Sequence, residues 1–331
     1  MKYLFRLTLL FSLILGASAC HRDDDLKGKT AEEKLAILDN KIHHKQNDAK
    51  LYAQRAEVFV ELGRYSEALV DLGRATTLDD DNPTYYMQMA DAYMHIGNID
   101  RCYEVLQKAN ELKPNDTGIL LKLGEAAYYH HDNERALVHL TQVTEKEPNN
   151  RTALFMKSFI YLEQGDTASA VVLLDKICGL YPDFVPAFEH LGSIYATRKS
   201  PMALEYYNTA LRIEPDNTNV LYGVAMYYQS LGDFEQAEHY YKEMLDRDEN
   251  MPDAWHNRGY IQLFHYGDYE LAVDYFTQAL ACDSTHVASM VNRGVAYELL
   301  NDKQKAREDY QHALSIDPKF QPAIDGMGRV K

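Results

Sequence analysis

The sequence predicts an all-α chain in which eight helix pairs follow one another in a linear array, and three columns of residues predict it. A large residue recurs as Tyr52, Tyr86, Leu120, Leu154, Phe188, Leu221, Trp255 and Met290, at steps of 34, 34, 34, 34, 33, 34 and 35 residues. A small residue recurs four positions later as Ala56, Ala90, Gly124, Ser158, Gly192, Ala225, Gly259 and Gly294. A third column reads Ala68, Cys102, Ala136, Ala170, Ala203, Ala237, Ala272 and Ala306. Three columns held in phase over eight periods do not arise by chance. Small residues let two helix axes approach closely, and the large residue fills the gap to the preceding pair.

In chain order, residues 1–19 place Lys2 and Arg6 before the apolar run Leu7 to Leu15 and Ala17-Ser18-Ala19 after it, the pattern of a cleaved secretory signal peptide. The run is too short to span a bilayer comfortably. Ala17-Ser18-Ala19-Cys20 resembles a bacterial lipobox, with Ala17 where that family usually has leucine. The resemblance implies that Cys20 is acylated after cleavage, although ordinary signal peptidase could cut the same bond. Residues 20–30 are expected to form an acidic tether, and Asp23-Asp24-Asp25 resembles the tract that directs some Bacteroidetes-type lipoproteins to the cell surface.

Residues 31–48 put Leu35, Leu38 and Ile42 on one helical face, as a capping helix would ahead of the first full repeat. The eight repeats occupy 49–320. Turn sequences such as Leu62-Gly63-Arg64-Tyr65 and Leu231-Gly232-Asp233-Phe234 separate the two helices of a pair. Pro114, Pro148, Pro182, Pro215 and Pro318 stop the second helices. The two irregular steps are expected in the turn inside a repeat, one residue missing near Lys199-Ser200-Pro201 and one extra near Tyr266-Gly267. Residues 321–331 read as the start of a ninth first helix, with Ile324 and Gly328 continuing the large and small columns.

These columns resemble the tetratricopeptide-repeat (TPR) family over residues 49–320. The resemblance implies a right-handed superhelix whose first helices line a concave groove. On the inward side of those helices lie Met87, Asp91 and Met94, then Leu121, Glu125 and Tyr128, then Phe155, Phe159 and Leu162, and later Tyr222, Met226, His256, Tyr260 and Leu263. A peptide-binding groove is expected there, with Phe155, Phe159 and Tyr128 as anchors. The family's clamp for acidic chaperone tails uses a lysine on the first helix, followed by an asparagine four residues later. Its positions here hold Ala53, Met87, Leu121, Phe155, Glu189, Tyr222, His256 and Val291, which disfavours that ligand.

Other chemistry is sparse. His43-His44 and His130-His131 are adjacent pairs, which diverge by about 100° on a helix and do not chelate jointly. No H-E-x-x-H, C-x-x-C, G-x-S-x-G or phosphate-binding glycine loop occurs. No catalytic residues, metal, cofactor or small-molecule substrate are therefore expected. Cys102, Cys178 and Cys282 are expected to be buried and unpaired, because they fall in repeats two, four and seven. A formal net charge of −16 argues against nucleic acid as a partner. The expectation is a non-enzymatic scaffold or adaptor of the bacterial cell envelope, an outer-membrane lipoprotein facing the periplasm or the surface, that binds a protein or peptide. The alternatives are a factor for outer-membrane protein assembly and a glycan-binding lipoprotein. The glycan reading lacks the long insertions that build a sugar site.

Overall fold

In a computed structural model, residues 24–331 are described. The signal segment and Cys20 lie outside them. Every regular element among the described residues is helical. After a short turn at Asp24–Leu26, a single helix α1 (Ala31–His44) precedes the pairs. These are α2 (Ala49–Glu61) with α3 (Tyr65–Leu78), α4 (Pro83–His95) with α5 (Ile99–Leu112), α6 (Thr117–Tyr129) with α7 (Asn133–Lys146), and α8 (Arg151–Glu163) with α9 (Thr167–Leu180). They continue as α10 (Val185–Thr197) with α11 (Met202–Ile213), α12 (Thr218–Leu231) with α13 (Phe234–Arg247), α14 (Pro252–Ile261) with α15 (Tyr269–Cys282), and α16 (Val287–Leu299) with α17 (Lys303–Ile316). Helix α18 (Gln321–Arg329) ends the chain. Two compact bodies divide it, Met1–Ala153 and Leu154–Lys331.

The turn inside each pair has one recipe. A residue with positive φ ends the first helix: Gly63, Gly97, Gly165, Gly232 and Gly267, but His131, Lys199 and Asn301 in the other three. The next residue turns its N–H back to a carbonyl five positions earlier, as Arg64 does to Phe59 (2.8 Å) and Asp233 to Tyr228 (3.0 Å). Asn98, Asp132, Asp166, Asp233, Asp268 and Asp302 then cap the second helix, each side chain accepting an N–H three residues on.

Both irregular steps fall beside the turn rather than in it. Repeat five keeps the turn, with Ser200 N–H on Tyr195 O at 3.0 Å, and loses its residue from the start of α11, which has 12 residues where most second helices have 14. Repeat seven absorbs its extra residue in a π-helical turn, Gln262–Tyr266, and there the closing bond from Asp268 N–H reaches back six residues to Gln262 O at 3.1 Å.

The small column is explained by what it faces. Opposite it on the second helices stand Leu72, Leu106, Leu140, Leu174, Tyr207, Tyr241, Phe276 and Tyr310, all fully or almost fully buried. In the first body, a Cβ added to Gly124 would meet Leu140 at 2.8 Å. In the second, a Cβ at Gly192 would lie 2.5 Å from Tyr207, at Gly259 2.7 Å from Phe276, and at Gly294 2.7 Å from Tyr310.

The ends are finished differently. Helix α1 buries Leu38 and Ile42 against Leu51 and Val58, and Thr30 with Glu33 forms a capping box at its start. Lys34, which stands 34 residues before Ala68 of the third column, pairs with Glu61 at 2.8 Å. Helix α18 buries Ala323 and Val330 in the cluster of Met290, Val291 and Tyr310. Its Ile324 is 41% exposed, and a Cβ at Gly328 would meet no neighbour.

The cysteines correct one expectation. Cys102, Cys178 and Cys282 are all unbonded, but only Cys102 is buried. Cys178 is half-buried beside the core residue Ile177, and Cys282, at the end of α15, lies 3.4 Å from Glu249 O. Burial pushes the Cys102 and Cys178 thiols up to about 12, which keeps them protonated.

Candidate functional site on the first helices

In the first body, successive first helices present three rows, because positions i, i+4 and i+7 share a helix face. The rows are Ala53, Met87 and Leu121; Glu57, Asp91 and Glu125; and Val60, Met94 and Tyr128. The middle row is acidic and engaged with the neighbouring helix. Gln88 Nε2 donates to Glu57 Oε1 at 2.6 Å, and Lys122 pairs with Asp91. Burial pushes the Glu125 carboxyl up, Lys122 opposes the shift and Asp91 adds to it. Met87 and Met94 pack on the cluster of Leu106, Ile119 and Leu123. Leu121 and Tyr128 are half-buried, and the Tyr128 ring lies 5.8 Å from that of Tyr129. The apolar members of this face serve mainly to pack one helix on the next.

The second body gathers more aromatic surface. Phe155 is 8% exposed, with ring centroids of Phe159, Phe184 and His190 at 4.7, 5.0 and 5.6 Å. Phe159 and Leu162 are half-buried at the edge of the same cluster. Burial holds His190 down at about 4, so it is neutral there. Further along, Tyr222 Oη accepts from Asn257 Nδ2 at 3.1 Å, and Tyr241 Oη donates to Met226 Sδ at 3.0 Å. Leu263 is buried. Of the apolar and aromatic groove residues expected from sequence, Met226 and Tyr260 offer the most surface, at 38% and 40%.

A polar constellation joins repeats seven and eight. Asp253 Oδ1 lies 3.3 Å from His286 Nε2, and Ser289 Oγ lies 2.7 Å from His286 Nδ1 and 2.9 Å from His256 Nδ1. Asp, His and Ser in that order invite comparison with a hydrolytic triad. However, Ser289 is fully buried, and His286 Nδ1 also receives the Ser289 backbone N–H at 3.2 Å as the cap of α16. A nucleophile must reach a substrate carbon. This network instead ties α14 to α16. The His286 contact holds the Asp253 carboxyl below the usual range, and burial pushes His256 down to about 4.

Sequence reading missed this network, the acidic row's partners, and the exposed Phe264 and Tyr266 of the π turn, which are 54% and 52% exposed. The one available signal was the 35-residue step, which fixes where a residue is added but not which side chains it turns outward.

Family models described as tetratricopeptide repeat match residues 59–125, 121–183, 222–287 and 287–320. The chain belongs to the tetratricopeptide-repeat family. As a TPR protein it is similar to human tetratricopeptide repeat protein 6, at 26% identity over 153 residues that make up 45% of this chain and 29% of that one. The chain thus spans less than a third of that relative's length. Among solved structures, a tetratricopeptide repeat protein from Parabacteroides merdae aligns with a TM-score of 0.59 at 17% identity, covering 75% of this chain and 98% of that one. The C-terminal part of a TPR protein from Cytophaga hutchinsonii gives the same score and identity over 73% and 99%. At such identity these structures establish the fold. TPR-repeat proteins are generally scaffolds for contacts between proteins.

Proposed function

We propose that this TPR protein is a scaffold of a bacterial cell envelope, anchored through a lipid on Cys20, that grips a peptide or helix of another protein on the inward faces of its first helices. The anchor reading rests on Lys2, Arg6, the run Leu7 to Leu15 and Ala17-Ser18-Ala19-Cys20. No described helix is long and apolar enough to cross a membrane, so on this reading attachment depends on the lipid. The observation that carries the binding reading is the surface left on the inward rows of the second body, where Met226 and Tyr260 stand more than a third exposed at equivalent positions of adjacent repeats. Aromatic and methionine side chains are the usual anchors of such contacts.

Alanine at Met226 and Tyr260 tests the proposal. The double variant should weaken partner binding by about 2 kcal/mol or more, and because Met226 Sδ accepts from Tyr241 Oη at 3.0 Å, its thermal melt separates a lost contact from lost stability. Undiminished binding would place the partner elsewhere.

A further inference from the structure

The π turn of repeat seven builds a surface that the inward rows do not account for. Its extra residue leaves Leu263 buried at 3% while Phe264 and Tyr266 emerge at 54% and 52%. Phe264 lies against Tyr260 with ring centroids 4.6 Å apart, and Tyr260 is itself 40% exposed. On the other side the His265 ring lies against Phe234 at 3.9 Å, tilted by 33°, and meets Tyr266 edge-on at 4.7 Å. Singly exposed aromatic residues are ordinary on protein surfaces, but a contiguous group is not. Single π turns within α-helices occur often at functional sites.

The charged residues that flank these rings in sequence are acidic, and Lys199, in the turn of repeat five, is held by Ser230 O at 2.6 Å. Asp233 and Glu235 flank Phe234, Asp268 and Glu270 flank Tyr269, and all four acids are exposed. Residues 213–241 and 259–292 contain neither lysine nor arginine. Arg258, between those stretches, is committed to Glu238 at 2.7 Å and to Tyr275 Oη at 2.6 Å. Exposed ring faces within an acidic surface favour a cation through both the ring quadrupole and the surrounding field.

We infer that Tyr260, Phe264 and Tyr266, with the Phe234–His265 pair, form a second docking surface that takes an arginine- or lysine-bearing segment of a protein. The guanidinium or ammonium lies over the exposed rings, and the segment's remaining basic groups face Asp233, Glu235, Asp268 and Glu270. This surface shares Tyr260 and the class of partner with the scaffold reading.

The test uses the mature chain and defined probes, so it does not depend on the envelope partner. A fluorescein-labelled peptide alternating arginine and leucine, its glutamate counterpart, a serine counterpart and free spermine are titrated by anisotropy at low and high salt. The arginine peptide should bind with an affinity that falls with salt. Phe264→Ala with Tyr266→Ala should weaken it about tenfold without moving the thermal melt. Glu235→Lys with Glu270→Lys should weaken it as well, whereas Met226→Ala should not. Equal binding of the glutamate or serine peptide, equal competition by spermine at matched charge, or unchanged affinity in the Phe264/Tyr266 variant would each overturn the inference. Loss of envelope-partner binding in Met226→Ala alongside intact arginine-peptide binding in the same variant separates the two surfaces.

Discussion

Tyr207 lies between two glycines, and a Cβ at Gly192 or Gly223 would fall 2.5 Å or 2.8 Å from its ring. Repeats one and two solve the same contact with Ala56 opposite Leu72 and Ala90 opposite Leu106. Size is exchanged across the pair at Gly192, Gly259 and Gly294, which face Tyr207, Phe276 and Tyr310, whereas repeat three sets Gly124 against Leu140 and repeat six sets Ala225 against Tyr241. Gly192→Ala should destabilise the second body by about 1–3 kcal/mol in a denaturant titration, as overpacking does. Adding Tyr207→Leu should recover part of that loss, and a neutral single variant would refute the steric account. Two half-buried histidines contribute to the acid response. His190 and His256 are pushed down to about 4 by burial, below the ordinary value of 6.5. The unfolded chain therefore takes up their protons first. Their contribution to stability is complete above pH 6.5 and is lost as the pH falls from there through about 4. Denaturant midpoints at pH 7 and pH 5 should show the lower value at pH 5, by less in a His190→Phe variant. Identical midpoints would mean that the imidazoles are not held neutral.

At the scale of elements, all eight turns place one residue in the left-handed region, and His131 at φ 60°, Lys199 at 52° and Asn301 at 62° do so without being glycine. His131→Gly should stabilise the chain by about 1 kcal/mol, because the side chain's conflict with that conformation is removed. Unchanged or lower stability would show that the imidazole has a compensating contact. These turns were legible in the sequence because Gly63, Gly97, Gly165, Gly232 and Gly267 mark them and aspartate or asparagine commonly follows. The helix pairs were legible because close axes impose small residues at fixed spacing. The facing column was not, since leucine in repeats one to four and an aromatic residue in five to eight hide one role behind two sizes. The π turn could be located from the 35-residue step, but its exposed rings depend on how the added residue is absorbed. The Asp253–His286–Ser289 contacts join residues 33 and 3 positions apart, and only the stacking of consecutive repeats brings Asp253 to that group.

For the molecule as a whole, sequence period dictates which residues become neighbours, and so the array was readable before its surface was. The inward rows appeared apolar in sequence because alternate members are methionine, leucine or phenylalanine. In the folded first body those side chains pack the helices, while Glu57 and Asp91 are held by Gln88 and Lys122. At the other end of the argument, the anchor is a covalent claim with a covalent readout. Mass spectrometry of the mature N-terminus should find Cys20 acylated, and Cys20→Ser should release the chain from membranes. An unmodified Cys20 would leave a secreted array with no anchor. The scaffold claim is tested most directly by placing a photocrosslinking amino acid, one position at a time, at Met226 and Tyr260 on the inward rows and at Val172 on a second helix, where the side chain is 67% exposed. Crosslinked in the native envelope, the inward positions should capture one and the same protein, with contacts mapping to a single segment of it, and Val172 should not. Capture of that protein from Val172 alone, or equally from all three positions, would contradict the account.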